Sequence, residues 1–187
     1  MNQPYPTGPT VLLRPVEPGD VMPLYRIACS TLGSTWRTRG ASISPGRFEA
    51  HLWEDVLCQF TICDRHDESA ILGLISAIHP DTRREIASLS VLTTGSLGDG
   101  PATVAGEAVQ LFCAHLFTRC GLRKLMGESF AVVLPALAEL GRLRSLLRPQ
   151  GCFEAHDRAP DGRLCDRHVF AEFRDDFLGY EQLRTEQ

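Results

Sequence analysis

The sequence predicts one α/β domain built around a mixed sheet. Three observations carry that expectation: a length that suits a single domain, a central block of short strands, and helical patterns on either side of it. At 187 residues the chain lies within the ~100–200 residues of an ordinary domain. A hydrophobic fraction of 43% supplies a normal core.

Each element has a local reason. Residues 11–16 form an apolar run that reads as a short strand. Glu17-Pro18-Gly19-Asp20 follows, with Asp20 placed to cap a helix reaching about Ser30. A Gly/Ser/Thr/Arg-rich stretch over 31–44 reads as a long loop of the kind that is usually functional. Pro45 suits the first turn of a second helix to about Asp55. Strands at 58–63, 70–78 and 85–93 are separated by short polar turns and read as antiparallel hairpins. After a glycine-rich loop at 94–102, a helix is predicted over 103–120. Val104, Ala108, Leu111, Phe112 and Leu116 share its apolar face, and Gly121 ends it. A strand at 122–128, a helix at 135–147, two strands at 153–157 and 163–174, and a short tail helix from Asp175 complete the order. The single domain spans 1–187, with the polar, proline-rich residues 1–9 read as a flexible lead-in.

Composition narrows the function. A net charge of −4 argues against a general nucleic-acid binder, which carries a basic face. No apolar run approaches the ~20 residues needed to cross a bilayer, and the N-terminus lacks the basic and apolar parts of a secretory signal. A soluble, cytoplasmic protein with no membrane partner is expected. Lys124 is the only lysine, so no second one is available for Schiff-base or phosphate chemistry. The seven cysteines include no C-x-x-C pair and read as reduced, buried thiols. His51, His66, His156 and His168 share no metal-ligand spacing, so no metal is expected.

Four stretches, in order, carry a family resemblance: residues 13–20 (Leu-Arg-Pro-Val-Glu-Pro-Gly-Asp), 85–91 (Glu-Ile-Ala-Ser-Leu-Ser-Val), 106–117 continuing through 121–125 (Gly-Leu-Arg-Lys-Leu), and 161–170 ending His168-Val169-Phe170. Together with the element order, they resemble the GNAT (GCN5-related N-acetyltransferase) superfamily, especially its ribosomal-protein-acetylase-like branch. The resemblance implies a mixed, mostly antiparallel twisted sheet with helices on both faces and a splayed parallel strand pair. It implies transfer of an acetyl or longer acyl group from a coenzyme A thioester to a primary amine of a protein, peptide or small molecule. A homodimer is compatible with it.

Residue by residue, the resemblance places the pantetheine arm on Val91, Leu92 and Thr93. The Val91 amide becomes the oxyanion donor, Glu85 the general base and Ser129 the general acid for the leaving thiolate. Glu85 also reads as a solvated charge beside its turn, and Ser129 as a surface serine. The family's pyrophosphate loop falls on residues 101–106, with Thr103, Val104, Ala105 and Gly106 offering amides. This loop is degenerate: the family's arginine is missing, Thr103 stands for a glycine, Pro101 removes an N–H, and Asp99 adds a negative charge. Three readings stay open. The donor is acetyl-CoA or another acyl-CoA; or it is acyl-phosphopantetheine on an acyl carrier protein; or the domain is a catalytically silent binding module. Trp36, Phe48 and Trp53 read equally as an acceptor or acyl pocket and as ordinary packing.

Overall fold

The computed structural model describes residues 5–30, 37, 43–94, 101–130, 147–158 and 162–185. Its chain order is β1 (Val11–Arg14), α1 (Val21–Ala28), α2 (Pro45–Leu52), β2 (Val56–Asp64), β3 (Ile71–Asp81), β4 (Ile86–Thr93), α3 (Pro101–Arg119), β5 (Lys124–Phe130), β6 (Arg148–Arg158), β7 (Leu164–Phe173) and α4 (Arg174–Thr185). The strands form one seven-stranded sheet in the order β1-β2-β3-β4-β5-β7-β6. Only β4 and β5 run parallel; every other neighbouring pair is antiparallel. The predicted mixed, mostly antiparallel sheet is therefore what the chain forms.

Alternation along the strands gives the sheet two distinct faces. On one, Phe60, Ile62, Ile75, Ala77 and Ala87 pack with Ala108, Phe112 and Leu116 of α3 and Phe177 of α4. On the other, Leu74 and Leu92 pack with Val21, Leu24 and Ile27 of α1 and Phe48 and Leu52 of α2. Spacings of three on α1 place one apolar stripe against the sheet. Ser44 caps α2 by accepting the Arg47 amide hydrogen at 3.4 Å, with Pro45 in the first turn.

Several boundaries differ from expectation. β3 runs on through His79 and Pro80, read as a turn, because a bulge at His79 (φ 51°) absorbs the bend. α3 begins at Pro101, two residues early, and β6 begins at Arg148, five residues early. The helix expected at 135–147 lies almost wholly outside the described residues. In the lead-in, Thr7 bridges Leu12 and the Pro6 carbonyl accepts from Leu13 N. Asp20 does not cap α1 with its side chain. Its carboxylate instead takes the Glu17 amide and the Thr61 hydroxyl, and both Arg14 terminal nitrogens at 2.8 Å. Among the described residues, no helix is long and apolar enough to cross a membrane.

Candidate active site

The sheet opens at its only parallel pair. β4 and β5 are in register at Ile86↔Lys124, Ala87↔Leu125 and Ser88↔Met126, and nowhere beyond. Each strand nevertheless continues on its outer side. β4 stays paired with β3 to Gly73↔Thr93, and β5 stays paired with β7 to Phe130↔Arg167. From Leu89 to Thr93, β4 therefore has no strand on its β5 side among the described residues. The result is a wedge with its apex at Ser88 and Met126.

Two glycines hold its walls apart by letting each strand sit close to its outer neighbour. A Cβ on Gly73 would lie 2.1 Å from the Leu92 carbonyl oxygen, and one on Gly127 would lie 2.2 Å from the Phe170 ring. Gly127 is the first β5 residue past the last paired position, so the Phe170 ring crosses β5 where the wedge begins.

Beside the wedge, the sheet face toward α1 and α2 carries a polar row that ends at its β4 wall. Register places Gln59, Ser76 and Ser90 in one row across β2, β3 and β4. Ser76 is fully buried, yet its Oγ has no hydrogen-bond partner, and neither polar end of the Gln59 amide has one. Buried polar atoms normally pair, so this row stands ready for a hydrogen-bonding guest. On the β5 wall, Met126 and Glu128 share that face. Glu128 is largely exposed and meets Arg167 at 3.1 Å, while Arg167 is chiefly held by both Asp157 oxygens at 2.5 Å.

The expected site residues fall unevenly around the wedge. Val91, Leu92 and Thr93 lie along its unpaired β4 wall. Glu85 does not extend β4: it sits in a left-handed turn (φ 56°), so the strand alternation that would align it with Ala87, Leu89 and Val91 stops short of it. Its carbonyl accepts the Arg123 and Lys124 amides, and its side chain lines a shallow cavity with Leu57, Cys120 and Leu122 at the closed end. Ser129 pairs with His168 at the open end of β5, and its hydroxyl is outside the described side chains.

The helix α3 begins at Pro101, inside the stretch read as the phosphate loop. Val104, Ala105 and Gly106 then fall at the start of its i to i−4 ladder, and Ala102 and Thr103 precede it in the first turn. Phe48 is wholly buried against Tyr25, with ring centroids 5.6 Å apart, so it belongs to the core. Trp53 is 56% exposed, and Trp36 lies outside the described residues. His79 is exposed beside Asp55. The residues that sequence reading missed are Glu128 and the Gln59–Ser76–Ser90 row. Glu128 alternates with Met126 in a recognisable strand, but only the register of three strands aligns the row.

No protein-family model matches the chain, and no curated protein matches it. Solved structures do. The spermidine N-acetyltransferase from Vibrio cholerae, in complex with CoA and spermine, superposes with a TM-score of 0.73 at 16% identity, covering 90% of this chain and 98% of its own. The fold is the GNAT fold. A probable GNAT-family acetyltransferase from Chromobacterium violaceum ATCC 12472 gives 0.68 at 18% identity, over 92% of this chain and 87% of the other. A GCN5-related N-acetyltransferase from Brucella melitensis gives 0.67 at 20%, over 94% and 81%. The GNAT fold thus extends over nearly the whole chain, with the wedge at its centre.

Proposed function

We propose that the chain is an N-acyltransferase that moves an acetyl or longer acyl group from a coenzyme A thioester to a primary amine. The observation that carries this reading is the wedge, since a strand edge left unpaired inside a sheet is a template for an extended, amide-bearing chain. Pantetheine is such a chain. Laid along Val91, Leu92 and Thr93, it brings its thioester toward the apex, and the Val91 amide faces the developing oxyanion. The diphosphate then falls toward the amides of Ala102 and Thr103 in the first turn of α3.

The acceptor enters on the face toward α1 and α2, over Ser90, Ser76 and Gln59. An acceptor amine must lose a proton before or during attack. Glu128 stands on the wedge wall on that same face, whereas Glu85 stands three residues below the apex, about 10 Å along the chain. Geometry therefore favours Glu128 as base and leaves Glu85 acting only through intervening water. The leaving thiolate takes its proton from Ser129 or from solvent.

Pro101 supplies no N–H at the start of α3 and Asp99 adds a negative charge in the same stretch, and that favours a second donor, an acyl-pantetheine carried on a protein. One experiment separates the readings. Acetyl-CoA at about 100 times its Kd stabilises the fold by ~2.7 kcal/mol, raising the melting temperature by roughly 5–10 °C for a chain of this size. Response to acyl-pantetheine alone assigns the carrier-bound donor, and response to neither assigns a silent module. With a responding donor and an amine panel, free-thiol release should fall ~10²-fold or more in Glu128→Gln, within the usual range of general-base catalysis. Glu85→Gln should fall less; the reverse order restores Glu85 as the base.

A further inference from the structure

On the face of the sheet covered by α3, at the closed end, three side chains from separate parts of the sequence converge. Cys58 comes from β2, His115 from α3, and Cys120 from the residue just past the end of α3, where Gly121 (φ 65°) turns the chain. Both Sγ atoms and an imidazole nitrogen all lie within 4.8 Å of one another. We propose that Cys58, His115 and Cys120 form a binding site for one divalent transition-metal ion, with zinc the best fit.

The distances suit it. Zinc–sulfur and zinc–nitrogen bonds of ~2.3 and ~2.0–2.1 Å fix ligand separations in a tetrahedral site at roughly 3.5–3.8 Å. From separations within 4.8 Å, closing the triad takes up to about 1 Å of movement at each ligand pair. The ligand set suits it as well, since two thiolates and an imidazole favour zinc over magnesium or calcium. The His115 ring is held edge-on against Phe60, centroids 5.1 Å apart at 88°, which limits how far it can turn away. One ion displaces two protons and leaves two sulfur–metal bonds, with no net charge added to a half-buried place. Three protein ligands leave one tetrahedral position for water, supplied from the shallow cavity that Cys120 lines with Leu57 and Glu85.

His115 separates this reading from a disulfide, which would need only the two sulfurs. A second cluster of Cys152, Asp166 and His168 is weaker: Asp166 is already committed to the Ala155 amide at 2.9 Å, and Cys152 is exposed.

The test uses the full chain, purified under reductant and stripped with chelator, then titrated with Co(II) as the visible stand-in for zinc. One cobalt per chain should bind, with a sulfur-to-cobalt charge-transfer band that zinc abolishes. Loss of an outer-shell partner typically weakens metal binding ~10–100-fold, so loss of the direct ligand in Cys120→Ala should weaken it by more than ~100-fold. Cys152→Ala should leave it unchanged. No charge-transfer band in the reduced wild type overturns the proposal, whatever the variants do. So does an unaltered band in a folded Cys120→Ala protein. The readout needs no acyl transfer, so it stands or falls apart from the proposed activity.

Discussion

At Glu172 the fold buries a carboxyl, 2% exposed, between β5 and α3. One oxygen accepts the Cys113 thiol at 2.8 Å and the other has no partner. Burial pushes its pKa up, and the Cys113 hydrogen bond only partly offsets this. A carboxyl whose folded pKa exceeds its unfolded one binds more protons in the folded state. Stability then falls as pH rises from the ordinary Glu value of ~4.3 toward the folded pKa. Glu172→Gln should abolish that slope and stabilise the protein at pH 7 by about 1 kcal/mol, read from urea melts across pH 4–8. An equal slope in both proteins would show that Glu172 does not titrate in this range. Asp20 is buried as deeply with the opposite outcome. Burial works to raise its pKa, but Arg14, the Glu17 amide and Thr61 outweigh it, and the net shift is down. Its contribution is present above the unfolded Asp value and fades as pH falls through the folded one. The sequence shows Asp20 as a helix-start residue; its partnership with Thr61, 41 positions away, exists only once β2 is in place.

The wedge depends on β5 being held to β7, and Gly127 is where that hold is tightest. Gly127→Ala sets a methyl against the Phe170 ring, so the ring or the strand must move. Overpacking of this kind costs ~1–3 kcal/mol. Phe170→Leu should recover part of that loss in the double variant, a coupling that a thermal-melt cycle measures directly. Additive losses would mean that the ring swings aside freely. Elements were more legible than their ends. Apolar runs bounded by polar turns identified β1 to β5, and the spacing of three and four identified α3. Glu85 shows the limit: nothing in the run from Arg84 to Val91 announces that Glu85 takes a left-handed backbone and leaves the strand. The start of α3 was obscured for a related reason, because Pro101 and Ala102 follow a glycine-rich stretch and read as its continuation, although proline is well suited to a helix's first turn.

At the scale of the molecule the sheet is two blades. β1 to β4 make one, β5, β7 and β6 the other, and only three paired positions join them. α3 packs on β1, β3 and β4 of the first blade and on α4, which follows the second. Glu107 fastens the helix to the far edge of the first blade by accepting the Thr10 and Val11 amides and the Thr10 hydroxyl. The free protein should therefore melt with a calorimetric enthalpy larger than its van't Hoff enthalpy, and saturating acyl donor should bring the two together. Equal enthalpies without donor would mean that α3 alone couples the blades. The overall order of elements, and with it the fold, was readable because each strand's pattern is local. The division into blades was not, since it arises from where pairing stops, and an absent pairing leaves no mark on a sequence. That division bears on the lifetime of the protein as well. Proteases in a cell act on whatever opens first, and a blade held by three rungs opens more often than a continuous sheet. On the proposed reading, a thioester donor lodged between the blades would close that route, and the supply of donor would set how long each copy of the protein survives.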